Sequence, residues 1–404
     1  GNSGGVVFTD PQITNVADLF WWDKATGEQT LISHSNVNKT TAALSSSIFQ
    51  AIASDGSGLV FSNVDATQFG PVGTAFTDTT KTVTDLFWWN KESGEQTLIT
   101  HSSVANTRSD AGSASTLSGI AKNGSGLVFS NTNATNFGNV GASTPAFTDS
   151  SGSSADLFWW DKASGVQQLI THSSVAGNTD STSLGGAYFN AIANDSSGVV
   201  FNSADATKFG NNDKAFTDVG SFGSTYTDLF WWDNTLGVQQ LITHSSAAGN
   251  TESAATAGAS FYAIANDSSG VVFSSTNAAQ FGNNGMAFVE LGSASASDLF
   301  WWDKATGEQK LINHSSAAGN TTTVTMNSSG FSAISADSTG VVFSNTNAAQ
   351  FGNDGVAFTD WVGTAVDLLW WNKATGVQQL ITHSSAAGNT TSEALSSSSF
   401  LAVS

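Results

Sequence analysis

Half of the 32 acidic side chains in this 404-residue sequence fall at three recurring positions. The first closes a short Phe-Thr-Asp run at Asp10, Asp78, Asp149, Asp218 and Asp360, with Glu290 in the remaining copy. The second opens an Asp-Leu-Phe-Trp-Trp run at Asp18, Asp85, Asp156, Asp228 and Asp298, and at Asp367 with Leu369 replacing the Phe. The third opens a turn at Asp55, Asp195, Asp267 and Asp337, with Asn2 and Asn123 in the other two copies. Two carboxylates per copy, joined by Asn side chains and loop carbonyls, make the all-oxygen donor set that suits a hard cation such as Ca²⁺. Candidate metal ligands are therefore Asp18, Asp78, Asp85, Asp149, Asp156, Asp218, Asp228, Asp298, Asp360 and Asp367, with calcium the candidate cofactor. The competing expectation makes them Asx-turn and strand-start residues that bond the backbone. No EF-hand loop or Gly-rich calcium nonapeptide is present.

The other chemistry-bearing residues recur as well. His34, His101, His172, His244, His314 and His383 each follow a Leu-Ile pair by two residues and precede a Ser. Neighbours on a strand face opposite ways, so such a His-Ser pair cannot act as base and nucleophile. Six-fold recurrence fits a structural hydrogen-bonding residue better than one catalytic base. The paired Trp residues offer flat faces for sugar stacking. A mid-strand pair in every copy nevertheless reads as core between packed sheets, where aromatic area dominates. Trp361 and Tyr226 stand in connecting loops outside the pattern and are better candidates for exposed contacts. Gly1-Asn2-Ser3-Gly4-Gly5 has nucleophile-elbow spacing but lacks the strand-to-helix context of that motif.

The elements that hold these residues follow from the repeat. The Trp-Trp runs are spaced by 67, 71, 72, 70 and 69 residues. Each copy holds four short apolar or alternating runs bounded by turn residues, with no sustained helical period. Four strands per 70-odd residues suggest one propeller blade per copy. Alternation along the strand then sends Leu19 and Trp21 to one neighbouring blade, and Phe20 and Trp22 to the other. The C-terminal Phe400-Leu401-Ala402-Val403-Ser404, followed by residues 1–8, matches Phe189 through Phe201 without gap or insertion. The expected fold is all-β: one domain over residues 1–404, a six-bladed propeller of four antiparallel strands per blade. Its ring would be closed by pairing of the C-terminal with the N-terminal strand, which removes an open edge.

Composition narrows the function. With 12 basic residues and a net charge of −20, nucleic acid and anionic membranes are poor partners. No apolar stretch approaches the roughly 20 residues of a membrane span, so membrane insertion is not expected. There is no Cys, which excludes disulfides and thiolate metal sites. Lacking an initiator Met and a signal-like segment, the chain reads as processed or as part of a longer protein.

The repeats resemble the TolB-type propeller repeat of bacterial extracellular proteins. Asp55-Gly56 through Phe61-Ser62 match its turn and Val-Ala-Phe-Ser strand, and Asp65-Ala66-Thr67-Gln68-Phe69 and Asp205-Ala206-Thr207-Lys208-Phe209 match its Asp-Ala-Thr-Asn-Leu segment. Asp85 through Asn90 with Ser93-Gly94 match its Asp-Val-Phe-Val strand and Thr-Gly turn; the paired Trp departs from it. The resemblance implies an extracellular or cell-surface bacterial protein. The expectation is a non-enzymatic binding module, with calcium as a candidate stabiliser, a monomer that presents loops to a protein or glycan ligand. The alternatives are a multivalent lectin, with one weak site per blade, and a hydrolase using a central channel. The last needs an asymmetric constellation, and the residues that break the pattern (Arg108, Tyr226, Trp361) form none.

Overall fold

The structure, a computed structural model, describes residues 7–11, 16–140, 146–150, 154–181, 186–218, 227–254, 258–293, 295–361, 363–385, 388–392 and 397–400. It is all-β, with five four-stranded sheets among the described residues. Each sheet takes its strands in chain order. In the first they are Ile48–Ile52, Gly58–Asn63, Asp85–Asn90 and Gln96–Leu98, all antiparallel. The sheets containing Asp156, Asp228, Asp298 and Asp367 repeat this plan. In the sixth copy the described strands are Phe20–Trp22 and Gln29–Leu31, paired with each other.

Local chemistry explains the strands. The second and third strands of a sheet pair in one register throughout: Leu59 faces Trp89, Val60 faces Trp88 and Phe61 faces Phe87. The first hairpin turns on an Asp whose carboxylate accepts a backbone N–H two residues on, as Asp55 does from Ser57 at 2.9 Å. The residue after that Asp adopts positive φ: Gly56 at 69° and Ser196 at 63°. A glycine then opens the second strand for lack of room. A Cβ at Gly58 would stand 2.1 Å from the Trp89 carbonyl and 2.7 Å from the Trp88 ring.

The chain divides into two compact units. One comprises Gly1–Phe189, Lys208–Lys214 and Leu236–Val238; the other comprises Asn190–Thr207, Ala215–Thr235 and Gln239–Ser404. In the first unit, Leu86 and Trp88 pack with Phe129, Phe158 and Trp160 of the following sheet. Phe87 and Trp89 of the same strand pack the other way, with Ile32, Leu19 and Trp21. The second unit repeats this between the Asp298 and Asp367 sheets, where Leu299 and Trp301 meet Phe343, Leu369 and Trp371. Successive sheets within a unit thus stack face to face, as alternation predicts. Nine of the ten paired Trp residues of the four-stranded sheets are core: Trp88, Trp89, Trp159, Trp160, Trp231, Trp232, Trp301, Trp302 and Trp371 are buried, and Trp370 is half-buried.

One feature differs from the sequence expectation. The long connection after the second strand is partly ordered. It holds a 3₁₀ turn (Ala66–Gln68) capped by the Asp65 side chain, and a two-residue strand, Thr77–Asp78, that runs parallel to Arg108–Ser109. Such strands are too short for a periodic signal. The ring-closing pair lies outside the described residues, since 1–6 and 401–404 are not among them.

Candidate functional site

The recurring carboxylates occupy one framework in each sheet. The Asp that opens the Trp strand is buried at Asp85, Asp156, Asp228, Asp298 and Asp367, and half-buried at Asp18. One carboxylate oxygen collects hydroxyls from two directions. Asp85 Oδ1 accepts from Thr100 Oγ1 at 2.8 Å and Ser109 Oγ at 2.6 Å. Asp156 Oδ1 accepts from Thr171 and Ser181, Asp228 Oδ1 from Thr243 and Ser253, and Asp367 Oδ1 from Thr382 and Ser392. Asp298 departs from this set: Oδ1 accepts from Asn313 Nδ2 at 2.9 Å and from the Thr323 and Thr325 hydroxyls. The hydroxyl of Thr100 also accepts the Leu86 N–H at 3.2 Å, which ties the start of the third strand to the segment after the fourth.

The second carboxylate comes from the connecting loop and is pinned by amides. Asp78 accepts from Ala66 N at 3.0 Å on Oδ2, and from Thr80 N and Lys81 N on Oδ1. Asp149, Glu290 and Asp360 accept the N–H at the same place in their own 3₁₀ turns, from Ala134, Ala278 and Ala348. These two carboxyl groups act on each other. Burial pushes Asp85, Asp156 and Asp228 up to about 7, and the charges of Asp78, Asp149 and Asp218 add to the rise. Burial likewise raises Asp367, with Asp360 adding to it, and raises Asp18, with Asp10 adding. Burial and the neighbouring Asp298 raise Glu290. The second oxygens of Asp85 and Asp156 are buried without a donor, while the carboxyls of Asp298 and Asp367 hydrogen-bond those of Glu290 and Asp360.

The structure thus brings together Asp78 with Asp85, Asp149 with Asp156, Asp218 with Asp228, and Asp360 with Asp367. It adds Glu290 opposite Asp298, a residue the sequence reading left outside its ligand set. The carboxylates come in twos: among the described residues no group of three or more His, Asp or Glu gathers at metal-binding distance. The turn residues Asp55, Asp195, Asp267 and Asp337 accept their own Asx-turn N–H.

The histidines are structural joints. His34, His101, His172, His244 and His314 are buried, and Nε2 of each meets a turn carbonyl of the following copy, at Gly94, Gly165, Gly237, Gly307 and Gly376. Nδ1 meets the carbonyl of the next Ser, as at His172 and Ser173, 3.0 Å. A neutral ring donates to only one of the two. Burial nevertheless lowers His101, His244 and His314, and takes His172 down to about 4. Desolvation outweighs the two carbonyls there.

Sequence reasoning missed the glutamine two residues after each turn Gly, although it recurs in all six copies. Buried Gln96 donates to the Ile32 and His34 carbonyls at 2.7 and 3.0 Å, and accepts from Gly70 N at 3.1 Å. Gln167 and Gln309 make the same three bonds with their own neighbours. Lysines join sheets from outside. Lys162 Nζ lies 5.0 Å from the Trp88 ring centroid and 2.8 Å from Ser57 Oγ, and Lys304 and Lys373 repeat this over Trp231 and Trp301. Among loop aromatics, Trp361 is 72% exposed, as its position outside the pattern suggested. Tyr226 lies outside the described residues.

No protein-family model matches this sequence, and no curated protein matches it. Solved structures similar to it include dipeptidyl peptidase 4 of Porphyromonas gingivalis: 8% identity over 91% of this chain and 43% of that one, TM-score 0.41. TolB of Acinetobacter baumannii aligns at 9% identity over 74% of this chain and 48% of its own, TM-score 0.27. An oligogalacturonate lyase of Vibrio parahaemolyticus aligns at 9% identity over 94% and 89%, TM-score 0.25. The chain spans less than half the length of the first two. At these TM-scores no conclusion is drawn from the likenesses.

Proposed function

We propose that the chain is a non-enzymatic binding module of a secreted or surface bacterial protein, a monomeric TolB-type propeller that presents its loops to a protein or glycan ligand. Its six copies would form one closed ring over residues 1–404, with residues 399–404 and 5–8 completing the sixth blade. The match of that joined segment to residues 189–201 supports this; Phe20 and Trp22, expected to pack on a neighbouring blade, are instead exposed, whereas their counterparts Phe87 and Trp89 are buried.

The observation that carries the reading is where the polar chemistry goes. The recurring Gln, five of the six His and the strand-opening Asp all bond to backbone or hydroxyl groups that hold the sheets together. One solvent-facing loop place varies between copies: it holds Leu291 and Trp361 in two adjacent copies, both exposed, and the exposed Thr79 and Ser150 in two others. Burial of nine repeated Trp residues removes most of the stacking faces that a lectin with one Trp site per blade would need, and leaves Trp361 and Trp22 as the exposed Trp candidates for glycan contact.

The test pairs a turnover panel of peptide, glycoside and oligouronate substrates with glycan- and protein-array binding by the chain and by Trp361→Ala. The expected result is no turnover, and binding that the substitution weakens. Turnover above blank that disappears in a His→Ala variant would refute the proposal.

A further inference from the structure

We propose that the exposed face of the Asp367 copy, built from Trp370, Ile381, His383 and Asn389, is a docking surface for the Lys24–Gly27 turn of the same chain. This deepens the monomeric closed-ring reading and rests on it only for the choice of a turn from the same chain. One joint recurs from copy to copy, and this face holds the half of it that is left uncovered. The Ile two residues before each His is no more than 2% exposed at Ile32, Ile99, Ile170, Ile242 and Ile312, whereas Ile381 is 45% exposed. The other five histidines are buried against a turn carbonyl of the following copy, and His383 is exposed. Asn178, Asn250 and Asn320 donate to three of those carbonyls, at Gly237, Gly307 and Gly376, and their counterpart Asn389 is exposed. Each of these contacts is made with the following copy, and the Asp367 copy is the last in the chain.

The joints already filled identify the occupant. In the Asp298 copy, Asn283, Phe288, Leu311 and Asn320 line a cleft whose far wall is Ala374-Thr375-Gly376 of the next copy. The same four places in the Asp367 copy, Asn353, Phe358, Leu380 and Asn389, also line a cleft. Lys24-Ala25-Thr26-Gly27 repeats Lys373-Ala374-Thr375-Gly376 residue for residue. It is exposed, whereas Gly307 and Gly376 in the seated turns are half-buried. Lys24 holds the place of Lys91, Lys162, Lys304 and Lys373, each 5.0–5.3 Å from the first Trp ring of the preceding copy. The matching ring is the half-buried Trp370. The matching carboxylate is the exposed Asp337, counterpart of Asp267, which pairs with Lys373 at 3.0 Å. Lys24 thus has an aromatic face and an opposite charge awaiting it. Seating the turn offers the Gly27 carbonyl to His383 and Asn389. It also lays Trp22 against Trp370, as Trp302 lies on Trp231 with centroids 5.9 Å apart. Trp22 is then covered, and Trp361 remains the exposed stacking face.

The test is zero-length carbodiimide coupling of an equimolar mixture of ¹⁴N- and ¹⁵N-labelled full chains, with the joined peptides mapped by mass spectrometry. Lys373–Asp267 is the internal control, because those groups already form an ion pair. The expected result is a Lys24–Asp337 link of single isotopic composition, at a yield comparable with the control. Diethyl pyrocarbonate should modify His383 as slowly as His314 in the parent chain. In Gly27→Val it should modify His383 several-fold faster and leave His314 protected, since Gly27 has a φ of 73° that a β-branched residue strains to adopt. The control link without the Lys24–Asp337 link would overturn the docking surface. So would His383 modified as fast in the parent as in the variant. Links of mixed isotope would place a second copy on the surface, and would overturn the occupant and the monomeric reading together. Enzymatic turnover, which would refute the non-enzymatic reading, leaves these links unaffected.

Discussion

Replacing Gln96 with Ala removes three bonds, two of which join its copy to the one before it and one of which holds the connecting loop of its own copy. The carbonyls of Ile32 and His34 lose their donor, and the Gly70 N–H loses its acceptor. Gln96 is 2% exposed, so water reaches these groups only by entering a gap in the packing. A buried backbone group left unsatisfied costs about 1–3 kcal/mol. Relaxation recovers part of the sum for three, which leaves an expected loss of about 3–5 kcal/mol. Thr97, the next residue, faces solvent and is the matched control; Thr97→Ala should change stability by less than about 1 kcal/mol. Gln96→Glu keeps the acceptor for Gly70 but turns a donor into a charge facing two carbonyls, and should be at least as destabilising as Ala. Urea unfolding followed by Trp fluorescence measures all three, because the repeated Trp residues are buried. A loss below about 1 kcal/mol for Gln96→Ala, or an equal loss for Thr97→Ala, would refute the assignment of Gln96 as a joint.

Three further outcomes are expected. His172 is held down to about 4, below the unfolded value of 6.5. The unfolded chain thus takes up the proton first, and the stability contributed by His172 is complete above pH 6.5 and lost as pH falls toward 4. His172→Gln should flatten that part of the stability–pH curve by on the order of 3 kcal/mol; parallel curves for parent and variant would contradict it. Lys162→Met keeps the stem over Trp88 but loses the charge and the bond to Ser57, so thermal melts should show a loss of about 1 kcal/mol. Gly270→Ala would set a Cβ 2.3 Å from the Trp302 carbonyl and 2.5 Å from the Trp301 ring. Its cost should exceed about 3 kcal/mol, against about 1 kcal/mol for Gly285→Ala, which has positive φ and open space.

Much of the fold was legible because it repeats. Asp-Leu-Phe-Trp-Trp announces a strand buried on both faces, and the Trp88 and Trp89 side chains pack to opposite sides as alternation requires. The Asp-x-Ser-Gly turn and the following Val-Val-Phe strand lie where turn chemistry places them. The parallel pair Thr77–Asp78 with Arg108–Ser109 was not legible, since two residues carry no period. It matters for the site, because it brings Ser109 to Asp85. The carboxylate pairs were half legible. Recurrence marked Asp78 and Asp85, but which oxygen is saturated and which is orphaned depends on hydroxyls 15 and 24 residues away. Glu290 was legible as the counterpart of Asp360, but the ligand set kept only aspartates. The recurring Gln was visible in all six copies, yet nothing local says that an amide on a fourth strand reaches backbone more than 60 residues back.

Joining residue 404 directly to residue 1 and reopening the chain between Ser196 and Ser197 tests the closed six-bladed ring most directly. The joined segment then reads as one more hairpin, and the new termini fall in a turn of the same kind. A closed ring predicts a soluble permutant with the parent's circular dichroism and a melting temperature within about 5 °C, equivalent to about 4 kcal/mol at this size. A permutant that fails to fold, while a chain reopened there without the join retains structure, would show that the ends do not meet in one sheet.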